Sequence, residues 1–177
     1  WESKQLGAHS PHVLLNTLVY FNTKYFMLHS AEDHLKLSFT HIMKHWKKSP
    51  PGKGNSAGRS VFLRYYCPTP LKTSSDSQKN KKKEELPIYE QAENVDNPLR
   101  CPVKLYEFYL SKCPESIKNR SDAFYLVPER SCVPDSPVWY STQNLSTEAM
   151  NKMLHRIRLV REIQEAKYHT QPVYATM

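Results

Sequence analysis

Ser10-Pro11-His12-Val13-Leu14-Leu15-Asn16-Thr17-Leu18-Val19-Tyr20-Phe21-Asn22-Thr23-Lys24-Tyr25 is the stretch on which the fold reading turns. Serine is a good helix cap, and proline suits the first helical position, where its missing N–H leaves nothing unpaired. Val13, Leu14, Thr17, Leu18, Phe21 and Tyr25 then recur at helical spacing, which predicts a helix with a buried face over about 11–27. Directly after it, Ser30 with Asp33 three residues on resembles a capping box, opening a short helix through about Leu37.

Further along, the period changes. Phe39 to Trp46 alternates and carries Phe, Ile, Thr and Trp, so a strand is expected there, with a helix as the alternative. Ser49-Pro50-Pro51-Gly52 breaks it and starts a loop over 49–59. Ser60-Val61-Phe62-Leu63-Arg64-Tyr65-Tyr66 reads as a strand. Pro68 and Pro70 end that strand, a polar lysine-rich tract follows, and a mobile loop is expected at about 68–85. Leu86 to Tyr89 would return as the other arm of a long hairpin. Pro102 opens an amphipathic helix that ends near Cys113-Pro114, and Ala123 to Val127 reads as a short buried strand. A proline-rich connection reaches Trp139-Tyr140. The last helix starts at Ser146, with Leu145 and Met150 as a hydrophobic staple and Met150, Met153, Leu154, Ile157 and Val160 as its stripe. Helices at both ends around a small sheet or hairpin give an α+β fold, expected as a single domain over 1–177.

Composition bounds the rest. The 177 residues suffice for one respectable core, and no run of eighteen apolar residues is present, so no membrane association is expected. The first residues lack both a signal-peptide pattern and an initiator methionine, which suggests a piece of a longer protein. Cys67, Cys101, Cys113 and Cys132 have no paired spacing, so free and mostly buried thiols are expected, with no zinc and no other cofactor in this domain. His41 with His45, and His9 with His12, are spaced for two metal ligands at most, which does not define a site. The net charge of +8 favours an anionic partner such as nucleic acid.

Particular wording then carries a resemblance. Leu14-Leu15-Asn16-Thr17-Leu18 and Phe21-Asn22-Thr23-Lys24-Tyr25-Phe26, with Cys101 through Leu110, resemble the catalytic domain of Crypton-type tyrosine recombinases. With Phe124-Tyr125-Leu126 and Pro134 through Ser141, nearly the whole chain is similar to the C-terminal domain of the MYM-type zinc-finger and glutamine-rich protein 1 family. The resemblance implies a mostly helical recombinase-like fold with a small sheet, truncated at its C-terminus. It also implies a nuclear protein of transcription and chromatin regulation, with co-repressor or chromatin complexes as partners and MYM-type fingers elsewhere in the full chain.

What the resemblance implies about chemistry is negative. Tyrosine recombinases hold the scissile phosphate with arginines and attack it with a tyrosine, while a lysine protonates the leaving oxygen. Their first arginine sits in a Leu-Arg-x-x-Glu turn, and this chain has Leu28-His29-Ser30-Ala31-Glu32 there. A histidine is shorter than arginine and cannot make a bidentate phosphate contact. His29, Glu32 and Lys72, on the loop equivalent to the lysine-bearing hairpin, are therefore expected as vestigial positions. The nucleophile segment is expected to be missing, leaving no enzyme; residual DNA strand transfer is the alternative. His155-Arg156-Ile157-Arg158 spells HxxR, but it flanks a stripe residue mid-helix and reads as an exposed basic face. Lys44, Lys47 and Lys48, with Lys79, Lys81, Lys82 and Lys83, are the candidate partner or nucleic-acid surface, and weak, sequence-indifferent DNA binding is the form it would take. The plainer reading of these runs is a set of solvated loops. Tyr65, Tyr66, Tyr106, Phe108 and Tyr109 could stack on bases, but their spacing assigns most of them to the core.

Overall fold

A computed structural model describes residues 1–48, 58–66 and 88–159. Helix α1 spans Pro11–Tyr25, and Ser10 Oγ accepts from the Val13 N–H at 3.3 Å. Every residue from Leu14 to Asn22 is buried, so this helix is enclosed on all sides instead of showing one apolar face. Its last turn closes through Phe26 N to Asn22 O (3.1 Å). Met27 then takes a left-handed φ of 59°, and Leu28 N reaches the same oxygen at 3.3 Å. That reversal aims the chain into α2 (Ala31–Leu35), which Ser30 caps by accepting from Asp33 N at 3.1 Å.

The region 39–46 divides in two. Phe39–His41 is a single tight turn and strand β1 begins only at Ile42, running to Lys48. The cause is Phe39, whose N–H donates to Ala123 O at 3.0 Å while its ring packs on Phe124. Strand β2 (Arg59–Tyr66) pairs antiparallel with β1 and with β3 (Ile88–Ala92), in the order β1-β2-β3. The register sets Ile42 opposite Tyr65, Lys44 opposite Leu63, and Leu63 opposite Gln91. With a period of two, Ile42, Leu63, Tyr65 and Gln91 share the buried face. Met43, His45, Lys47, Phe62, Arg64, Tyr66, Ile88 and Glu90 share the other.

Helix α3 (Pro102–Lys112) begins at its proline as expected. The buried stretch at 123–127 is less strand than expected: only Leu126–Pro128 (β4) pairs, with β5 (Tyr140–Asn144), across a bulge. Ala123, Phe124 and Tyr125 are buried as irregular chain, because Phe124 O is taken by the Tyr109 hydroxyl and Tyr125 O by Leu145 N. Strand β5 was not anticipated, since Pro134 and Pro137 mask the approach to it. Helix α4 (Thr147–Arg158) starts where Ser146 Oγ accepts from Ala149 N at 3.1 Å, with Leu145 and Met150 both buried at the staple positions. Met153, Leu154 and Ile157 complete its buried stripe.

The architecture is α+β, with a three-stranded and a two-stranded antiparallel sheet among the described residues. Among the described residues, one hydrophobic cluster runs from Leu6 to Ile157. Its densest part is aromatic, with Phe124–Tyr125, Tyr109–Tyr140 and Phe39–Phe124 ring centroids 4.8, 4.9 and 5.2 Å apart. Cys101 and Cys113 are buried free thiols and Cys132 is half-buried and free, while Cys67 lies outside the described residues. The 49–59 loop expectation falls almost wholly outside them too, as do the expected mobile stretch at 68–85 and Val160.

Candidate interaction surface

The turn that the recombinase resemblance singles out is built from structural contacts. Leu28 is buried, His29 is exposed, and Ser30 serves as the α2 cap. Glu32 points to solvent and pairs with Lys36 one turn on, at 2.9 Å. Arg158 Nη2 donates to the His29 carbonyl oxygen at 3.5 Å. His155 and Arg158 are both exposed while Ile157 between them is buried, so HxxR occupies the outward face of α4. Lys72 lies outside the described residues, as do Lys79, Lys81, Lys82 and Lys83.

Lys44, Lys47 and Lys48 all lie on β1, but a strand sends alternate side chains to opposite faces. Lys44 and Lys48 share the face toward α3, where Lys44 Nζ hydrogen-bonds Glu107. Lys47 sits on the outer face, 3.4 Å from Glu90 and 4.6 Å from the Phe62 ring centre. Glu90 also accepts from Arg64 at 2.8 Å, and although partial burial would raise its pKa, the Arg64 and Lys47 hydrogen bonds bring it below the ordinary value. The described lysines therefore do not converge on one groove, and each of these two ion pairs at a solvated strand contributes at most about 1 kcal/mol.

The candidate tyrosines are occupied as well. Burial pushes the Tyr106, Tyr109, Tyr125 and Tyr140 phenols well above their usual range, the opposite of what an attacking tyrosine needs. Tyr109 donates to Phe124 O and accepts from Leu126 N, and Tyr140 donates to Pro11 O at 2.8 Å. Tyr65 is buried, Phe108 packs edge-on against Trp139 at 5.3 Å, and Tyr66 is exposed, with its hydroxyl 2.9 Å from His45 Nε2. No cluster of three or more His, Cys, Asp or Glu side chains among the described residues could hold a metal ion.

Sequence reasoning missed a buried polar network joining α1, α2, β3 and the approach to β4. Asn22 Nδ2 donates to the Tyr125 hydroxyl (2.7 Å), and Asn22 Oδ1 accepts from Gln91 Nε2 (2.8 Å). His34, fully buried, has Nδ1 at 2.8 Å from the Tyr125 hydroxyl and Nε2 at 3.0 Å from Thr23 Oγ1. Thr23 Oγ1 gives its own hydrogen to Val19 O at 2.8 Å, so it accepts from His34. The neutral Nε2–H tautomer is then the one that uses every hydrogen, with Tyr125 donating to Nδ1. Burial lowers the His34 pKa to about 4, more than the Leu28 backbone and Asp33 raise it. The signal for this network was Asn22 itself. It shares a helix face with Leu15 and Val19, and a polar side chain on such a face must find partners.

The family described as Domain of unknown function (DUF3504) matches residues 1–159, which is all but the last part of the chain. The chain belongs to that family. The chain is also similar to parts of longer proteins. It is 52% identical over 167 residues to Zinc finger MYM-type protein 3 of Homo sapiens, covering 93% of this chain and 12% of the relative. Transcriptional regulator QRICH1 of Mus musculus is 51% identical over 166 residues, covering 94% and 20%. Zinc finger MYM-type protein 2 of Homo sapiens is 47% identical over 165 residues, covering 93% and 12%. The chain thus spans an eighth to a fifth of these proteins, whose names are those of zinc-finger proteins and a regulator and not of enzymes. No solved structure matches. No described helix is long and apolar enough to cross a membrane.

Proposed function

We propose that this DUF3504 domain is a catalytically silent, domesticated tyrosine-recombinase-like module that binds other proteins in nuclear transcription and chromatin regulation. The observation that carries it is the Leu28–Glu32 turn. Histidine stands where the recombinase resemblance requires arginine, and Glu32 is turned out to Lys36 instead of inward to a phosphate site. A phosphate held there would lack the planar donor pair that stabilises charge on its oxygens. The regulatory role is supported by relatives named as a transcriptional regulator and as MYM-type zinc-finger proteins. A protein partner is favoured over DNA because Lys44 and Lys47 project to opposite faces of β1 and do not form one cationic surface.

The test couples two readouts. Fused to an unrelated DNA-binding domain and recruited to a reporter promoter, the domain lowers transcription. Incubated with nicked suicide duplexes, it forms no covalent phosphotyrosyl adduct, and His29→Arg does not create one. An adduct, or a reporter that does not respond, overturns the reading.

A further inference from the structure

Strand β1 is a sheet edge, since β2 lies on one side of it and no described strand lies on the other. Its backbone makes no hydrogen bond on that second side among the described residues. Such an edge is a template for one more strand unless something blunts it. From Met43 to Lys48 no residue is buried, and Met43 and Trp46, on opposite faces, are 52% and 54% exposed.

Three lysines in seven residues act selectively here. A second copy pairing antiparallel over the whole of β1 would bring three more lysines and no carboxylate, with Lys44 diagonal to the lysines at 44 and 48 of the other copy, which is unfavourable across strands. An acidic strand meets the reverse situation. Lys44 and Lys47 keep 52% and 60% of their side-chain surface exposed although each touches a glutamate. Arg59 lies 4.5 Å over the Trp46 ring and adds a cation next to the apolar surface a docked chain would cover.

We propose that the edge of β1, Ile42–Lys48, takes an extended acidic peptide as an additional strand. Main-chain hydrogen bonds supply the docking, and alternation supplies selectivity. Acidic residues of the peptide lie beside Lys44 and Lys48 on the face toward α3, and its apolar residues lie on the outer face beside Met43 and the aliphatic stem of Lys47, whose ammonium stays with Glu90. This rests on the reading of the domain as a protein-binding module and names the partner's chemistry.

The probe is a blocked, fluorescein-labelled octapeptide alternating Glu with Val, titrated into the whole chain at physiological salt. It binds saturably, with amide NMR shifts concentrated in residues 42–48 and 59–65. A version N-methylated at alternate residues, unable to complete the ladder, binds at least tenfold more weakly, and a version with Lys for Glu does not bind. Lys44→Glu with Lys48→Glu weakens the acidic peptide at least tenfold while the folded far-UV circular dichroism spectrum is kept. Equal binding of the N-methylated peptide, shifts away from β1, self-association through β1, or duplex DNA displacing the peptide from this edge overturns the proposal. The N-methylated comparison uses the unaltered chain, so it decides even if the double variant folds poorly. If the peptide fails to bind while the promoter-recruited domain still lowers transcription, only the strand-edge proposal is lost.

Discussion

Acidification should destabilise this domain mainly through one histidine. Neutral His34 accepts from Tyr125 and donates to Thr23, and it is fully buried. Protonation adds an N–H facing a hydroxyl that already accepts from Asn22, and it places a charge in the core. The folded pKa is therefore about 4 against an ordinary 6.5. Between those values the unfolded chain binds more protons, so stability rises with pH across that window. The contribution is complete above pH 6.5, is lost progressively as pH falls to about 4, and falls no further. The whole gap corresponds to about 3 kcal/mol, of which about 2 kcal/mol is lost between pH 7 and pH 5. His41, whose pKa burial also lowers, adds a smaller loss of the same sign. Glu90, Asp122 and Glu148, held below their ordinary values of 4.5, 3.8 and 4.5, contribute only at lower pH. Urea unfolding followed by tryptophan fluorescence at pH 7, 6, 5.5 and 5, on the natural chain and on His34→Gln, measures the slope directly. An unchanged slope in the variant, or a flat profile in the natural chain, refutes the reasoning.

Tyr125→Phe should cost about 2–4 kcal/mol in the same assay, because it strands both His34 Nδ1 and Asn22 Nδ2 in the core. Ser146→Ala should cost about 1 kcal/mol through the lost α4 cap, read as a lower urea midpoint at constant m-value. Cys113, buried and with its thiol pushed up to about 12, should be alkylated by iodoacetamide at pH 8 far more slowly than half-buried Cys132, as peptide mapping will show, and the difference should vanish in denaturant.

Where local chemistry and burial agree, the elements could be read directly. Ser10-Pro11, Ser30, Pro102 and Ser146 mark helix starts because a cap or a proline acts within one turn, whatever lies around it. Strand β2 was legible because its aromatic and β-branched residues have nowhere else to go. Failures came where a distant partner decides. Phe39 is drawn out of the strand by Ala123, eighty-odd residues on, and Phe124 is kept from pairing by the Tyr109 hydroxyl. No window of neighbouring residues contains either partner.

The candidate surface was less legible for a geometric reason. A count of +8 says that anions are attracted somewhere, and a run of lysines says where in the chain, but neither says which way the side chains point. On a helix, residues three or four apart would share a face; on a strand, three apart means opposite faces. Lys44 and Lys47 are three apart, so identifying the segment as strand already separates them, and the register with β2 and β3 then gives them different carboxylates. The same alternation that dissolves a phosphate groove distributes positive charge over both faces of a strand whose outer edge meets no other described strand. A duplex, which needs its cations on one surface, gains little from that arrangement. An extended chain, whose side chains also alternate, meets a lysine on either side of it.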